Sequence, residues 1–74
     1  MFKTENFWGS AKDLNNLDNG VTVAGGGTKN TPFNGYVISF NVGGTETFQV
    51  IFERDGTRVQ RRYRPNRGSW TPWR

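Results

Sequence analysis

Three stretches decide the fold: Tyr36-Val37-Ile38-Ser39-Phe40-Asn41-Val42, Phe48-Gln49-Val50-Ile51-Phe52 and Val59-Gln60-Arg61-Arg62-Tyr63. In the first, large apolar residues fall on even positions and mostly smaller or polar ones on odd positions, the period of a half-buried strand. The second and third continue the pattern. Asp55-Gly56 between them is a two-residue hairpin signal, because both central residues of that turn take positive φ. Such a turn pairs Glu53 with Arg58, Phe52 with Val59, Val50 with Arg61 and Phe48 with Tyr63. Around Gly43-Gly44-Thr45, a three-residue loop pairs Phe40 with Phe48, Ile38 with Val50 and Tyr36 with Phe52. A two-residue loop would mix the faces, so a three- or five-residue loop with a left-handed glycine is expected. The sheet then has one mainly apolar face (Phe48, Val50, Phe52, Val59, Tyr63), expected to be the core. The other face carries Gln49, Ile51, Gln60 and Arg62 and is expected to be open.

Outward from this meander the signals are shorter. Val21-Thr22-Val23-Ala24 is a strand candidate ended by Gly25-Gly26-Gly27, and Thr28 to Gly35 reads as an ordered loop. Ser10 to Leu17 suggests a turn or two of helix with Ser10 as N-cap. Residues 1–20 are otherwise the part closest to a disordered composition. The expected class is mainly all-β: a small antiparallel β-meander, sandwich-like, with a short N-terminal helical turn. It forms a single domain over residues 1–74.

Composition sets the energetic problem. The 74 residues are 32% apolar and 15% aromatic, against roughly 45–50% apolar usage, glycine included, in ordinary globular proteins. Cysteine and histidine are both absent, which excludes disulfides and Cys/His metal sites. A core this small supplies only a few kcal/mol, so self-association is the expected route to further stability. No apolar run approaches the roughly 18 residues of a membrane span, and no membrane insertion is expected. Without a signal-peptide h-region, the chain is expected to be made in the cytoplasm and not exported by that route, either on its own or as a piece of something longer.

Enzyme signatures are missing. No histidine offers a general base, and Glu5, Asp13, Asp18, Glu46 and Glu53 show no paired spacing for acid/base work. No catalytic residue, metal or cofactor is expected. Gly25-Gly26-Gly27-Thr28-Lys29 lacks the spacing and the helix of a phosphate loop and reads as a turn.

The formal charge of +4 is concentrated at the C-terminal end, where from Arg54 onward seven arginines face one acid, Asp55. Arg61-Arg62-Tyr63-Arg64 reads as solvated charge, as a contact for glycan phosphate, or as a contact for nucleic acid. Nucleic acid is the least favoured, because an RNA-binding sheet shows its rings on the open face. Trp70-Thr71-Pro72-Trp73 also has two readings. The indoles cap a core or interface, or they stack on sugar rings while neighbouring Arg and Asn bond the hydroxyls. Candidate glycan-binding residues are therefore Arg62, Arg64, Asn66, Arg67, Trp70 and Trp73.

Three pieces of the chain resemble the knob domain of R-type pyocin and bacteriophage tail fibres. They are Asp13-Leu14-Asn15-Asn16-Leu17, Thr28-Lys29-Asn30-Thr31-Pro32 and the closing Asn66-Arg67-Gly68-Ser69-Trp70-Thr71-Pro72-Trp73. The order and spacing run from about Asn6 to Arg74, and the Gly-Ser-Trp-Thr-Pro-Trp ending is the most specific part. One departure is Val21 after Gly20, where family members often carry an aromatic residue. The resemblance implies a β-rich, non-enzymatic module at the tip of a fibre, in a virion or phage-tail-like particle. It implies a homotrimer that attaches to bacterial surface polysaccharide of the lipopolysaccharide or teichoic acid class. It also implies that the closing tryptophans are largely structural. A module that only seals the end of a fibre trimer is the alternative.

Overall fold

The computed structural model describes residues 2–74. Five strands, β1 (Lys3–Asn6), β2 (Gly20–Ala24), β3 (Gly35–Val42), β4 (Glu46–Glu53) and β5 (Val59–Arg64), form one sheet in sequence order. β2 to β5 are an antiparallel meander, and β1 pairs with β2 in parallel. The fold is therefore mainly β, as expected, with a strand in the segment that composition left closest to disorder. Periodicity gives no sign of β1. Its four residues, Lys-Thr-Glu-Asn, carry no apolar alternation, and β1 forms because its backbone finds the free edge of β2. Gly20 allows that approach, since a Cβ there would run into the carbonyl of Lys3.

The register is the expected one. Phe40 pairs with Phe48, Tyr36 with Phe52, Phe52 with Val59 and Phe48 with Tyr63. Gly43-Gly44-Thr45 is a three-residue loop, and both of its glycines have positive φ. The second turn differs. At the Asp55-Gly56 tip only Gly56 takes positive φ, and the turn closes with Gly56 N–H on Glu53 C=O at 2.8 Å and Glu53 N–H on Arg58 C=O at 2.8 Å. Four residues, 54–57, loop out instead of two. Register survives because lengthening the loop by one residue on each side leaves the pairing unchanged.

The faces are reversed. Val37, Ser39, Thr47, Gln49, Ile51 and Arg62 are buried, whereas Tyr36, Phe40, Phe48, Phe52 and Val59 are exposed. The cause is the β1–β2 connection. A parallel pair needs a crossover of about a dozen residues, and residues 7–19 make it across the face that carries Val37, Ser39, Gln49 and Ile51. They place Phe7, Leu14 and Leu17 in the core with Ala24, Val37 and Ile51. The crossover is irregular and brings carbonyls that need donors. The sheet supplies them: Ser39 Oγ donates to Leu17 C=O (2.9 Å) and Gln49 Nε2 to Leu14 C=O (2.6 Å). The helical element shrinks to one 3-10 turn, Leu14–Asn16. It is capped by Asp13, whose Oδ1 accepts from Asn15 N–H at 2.8 Å, and not by Ser10. The domain is one sheet covered on one side by crossover, loop and C-terminal segment.

Candidate functional site

β5 sets the site by turning Arg62 onto the covered face. After Arg64 the chain reverses through Pro65–Gly68, with Gly68 N–H on Pro65 C=O at 2.7 Å. Asn66 (φ 47°) and Arg67 (φ 59°) are both left-handed. That is the backbone of a type I′ turn, found here and not at Asp55-Gly56. Asparagine tolerates it; arginine is strained by it. Arg67 is held in place by its N–H on Thr45 C=O at 2.8 Å. The tail then runs back along the outer edge of β5. Thr71 N–H bonds Tyr63 C=O (2.8 Å), and Arg61 and Arg74 exchange N–H···O=C bonds of 2.9 and 3.1 Å. Pro72 donates nothing and sits between these contacts.

This return lays both indoles on Arg62. Its guanidinium carbon lies 3.8 Å from the Trp70 ring centroid and 4.7 Å from that of Trp73, and Nε donates to Gln49 Oε1 at 2.8 Å. Arg62 is only 5% exposed. Burial pulls its pKa down to about 10; the Asp13 carboxylate opposes that shift and Arg64 adds to it. The group stays charged at neutral pH, and stacking on two indole faces is the cation–π arrangement that makes this tolerable. Trp73 is anchored further, its Nε1 donating to Asn30 C=O at 2.8 Å. The Asn30 amide bonds Asp13 Oδ1 at 2.7 Å. Burial pushes the Asp13 carboxyl up, but this bond and the Asn15 N–H outweigh it and hold the carboxyl below its usual range.

The six sequence candidates thus divide into two tiers. Arg62, Trp70 and Trp73 form the inner layer, with Arg62 against both indoles and Trp73 packed on the core. Arg64 stacks on the outer side, 5.4 Å from the Trp70 centroid, and Asn66 and Arg67 stand exposed in the turn beyond it. Arg62 Nη2, Arg64 Nε and Trp70 Nε1 are shielded donors with no acceptor among the described residues. Chemically the tier is all donors, fit to meet an oxygen-rich or anionic group and unfit for acid/base work. Among the described residues no cluster of potential metal ligands occurs, and no helix is long and apolar enough to cross a membrane.

A second concave region was not legible in the linear sequence. Phe33, Asn34, Tyr36, Glu53, Arg54, Asp55 and Arg58 line a cleft of about 520 Å³. Arg58 stacks on Phe33 (4.4 Å), and Arg54 lies 5.0 Å from the ring of the exposed Trp8. Rings alternating with guanidinium and amide groups suit a sugar as well as the C-terminal tier does. The lining residues come from two separate segments, 33–36 and 53–58, so no local motif announces them. Comparisons with protein-family models, curated proteins and solved structures gave no match for this chain.

Proposed function

We propose that this chain is a non-enzymatic attachment module of a phage-type tail fibre, binding bacterial surface polysaccharide as a homotrimer near the fibre tip. The observation that carries the reading is the convergence of the three segments on which the resemblance rests. Asn30 joins Asp13 through its side chain and Trp73 through its carbonyl, and Leu14 is tied to Arg62 through Gln49. Segments far apart in sequence build one layer, with Arg64, Asn66 and Arg67 on its outer side. Individual sugar contacts are weak, and three copies on one axis raise avidity without new contacts. A phosphorylated or acidic glycan of the lipopolysaccharide or teichoic acid class suits the arginines, and its binding weakens with salt.

A second reading, a module that seals a fibre without binding, is favoured by one feature: both closing indoles are already occupied by Arg62. Binding of the labelled protein to whole bacterial cells, before and after periodate oxidation, decides between them. Strain-selective, periodate-sensitive binding supports attachment. A folded protein, tested at a concentration where it is trimeric, that binds no strain supports the seal.

A further inference from the structure

We infer that the open face of the sheet is the surface through which copies of this chain dock on one another. The inference rests on the reading above only for the number of copies; the contact itself is argued from the face. Phe2, Tyr36, Phe40, Phe48, Phe52 and Val59 lie there, 42–60% exposed. Phe48 stacks on Tyr63 (centroids 4.5 Å apart) and Phe2 lies against Phe40 (6.3 Å), while Tyr36 pairs with Phe52 across the Ile38–Val50 pair from Phe40 and Phe48. At ~200 Å² per aromatic side chain, five half-exposed rings present ~500 Å². The half-buried Val21, Val23, Ile38 and Val50 lie among them. Soluble monomers rarely show more than a few hundred Å² of contiguous apolar surface. Each partner in a standard interface buries ~800 Å².

Three further observations favour a second copy over a glycan. The groove on this face, between Thr4, Val21, Val23, Tyr36, Ile38 and Phe52, is lined almost wholly by carbon, whereas a sugar needs hydrogen-bonding groups beside each ring. The charges suit self-pairing. Among strand residues pointing to this side, Glu46 and Arg61 are the charged ones, one of each sign, although the chain as a whole is +4. Lastly, among the described residues the covered core holds only six buried apolar ones, with no disulfide to support it. A chain that leaves five rings about half exposed on one face completes its core by association.

The test is sedimentation equilibrium of the full chain across a concentration series, alone and as Phe48→Lys with Phe52→Lys. Near-ultraviolet dichroism of the tryptophans, none of which lies on a strand of this face, reports the fold. The wild type is expected at a multiple of 8.4 kDa and the folded double variant at the monomer mass. Two central interface side chains of about 2 kcal/mol each amount to a loss of about 1,000-fold in association. Should the double variant unfold, Val59→Lys, on the most exposed of the large apolar side chains of the face, gives the same answer with a smaller shift. A wild type that stays monomeric at millimolar concentration overturns the inference. So does an oligomer indifferent to the lysines, or a monomer whose binding to cells is lost in the folded lysine variant. A self-associated chain that binds no cell surface leaves this interface standing and overturns the attachment reading instead.

Discussion

Gln49 and Phe48 are neighbours in β4, and the sheet treats them in opposite ways. Gln49 is fully buried, while Phe48 remains 45% exposed. The same inversion runs across the sheet, with Ser39, Thr47 and Arg62 inside and Tyr36, Phe40 and Phe52 outside. Hydrophobicity alone would place them the other way round. The difference lies in what covers each face. An irregular crossover with unpaired carbonyls selects a polar partner surface, because every buried carbonyl left without a donor costs about 1–3 kcal/mol. A regular apolar face suits a partner that brings no unsatisfied backbone, such as another copy of itself.

The largest expected effects lie on the covered face. Trp73→Ala removes an indole packed on the core and frees Asn30 C=O. Truncation of a well-packed Trp costs about 3–5 kcal/mol, comparable with the whole stability of a domain this size. Chemical denaturation should find the variant largely unfolded; a folded Trp73→Ala that loses only cell binding would break the comparison. Gln49→Leu comes next, at about 3 kcal/mol. It strands both Leu14 C=O and the charged Arg62 Nε, even though leucine is the more apolar residue. On the open face, Phe52→Ala should cost the monomer only ~1 kcal/mol, in proportion to the half of its ring that is covered. Its effect should grow with protein concentration if copies pack there.

How much of this was legible follows from the same contrast. Register in the meander follows from alternation and turn chemistry, which are local, and β3 to β5 pair as expected; the length of the 43–45 loop was legible too, whereas that of the 54–57 loop was not. Which face is inside depends on where residues 7–19 lie, and nothing local in β3 or β4 records that. β1 escaped notice because Lys3–Asn6 has no apolar period. Ser10 is not the cap because the turn starts at Leu14, which makes Asp13 the residue that precedes it. Among the site residues, composition located the arginines and tryptophans. That Arg62 sits between two indoles while Arg64, Asn66 and Arg67 lie beyond them required the tail to fold back on β5. The two tiers should separate by experiment. Arg67→Gly relieves a left-handed arginine, so stability should rise by about 0.5–1 kcal/mol. Periodate-sensitive cell binding should fall if the outer tier touches glycan. Arg54→Ala, with the fold kept, asks the same of the second cleft.

The smallest effect sharpens a different contrast, between a buried charge and an exposed one. Arg62 keeps its charge between rings and beside an amide. Glu53 keeps its charge at the rim, where Arg58 Nη2 reaches Oε2 at 2.7 Å and Nε reaches Oε1 at 3.1 Å. The bonds from Arg58 and then from Thr57 Oγ1 hold the Glu53 carboxyl at about 2, below its ordinary 4.5. The sign follows from the depressed value. Above pH 4.5 the folded and unfolded carboxyls are both ionised and the contribution is fully present. Between 4.5 and about 2 the unfolded chain takes up the proton first, so stability falls with pH and the contribution is gone below about 2. A surface pair is also screened by salt. A side-chain NMR titration should give Glu53 a midpoint near 2 at low ionic strength, moving toward 4.5 in about 0.5 M salt. Glu53→Gln should abolish that part of the acid dependence without disturbing the Trp70–Arg62–Trp73 stack. A Glu53 midpoint near 4.5 at low salt would mean that the hairpin tip does not hold the pair. The 54–57 loop would then be free to tighten into the two-residue turn that Asp55-Gly56 encodes.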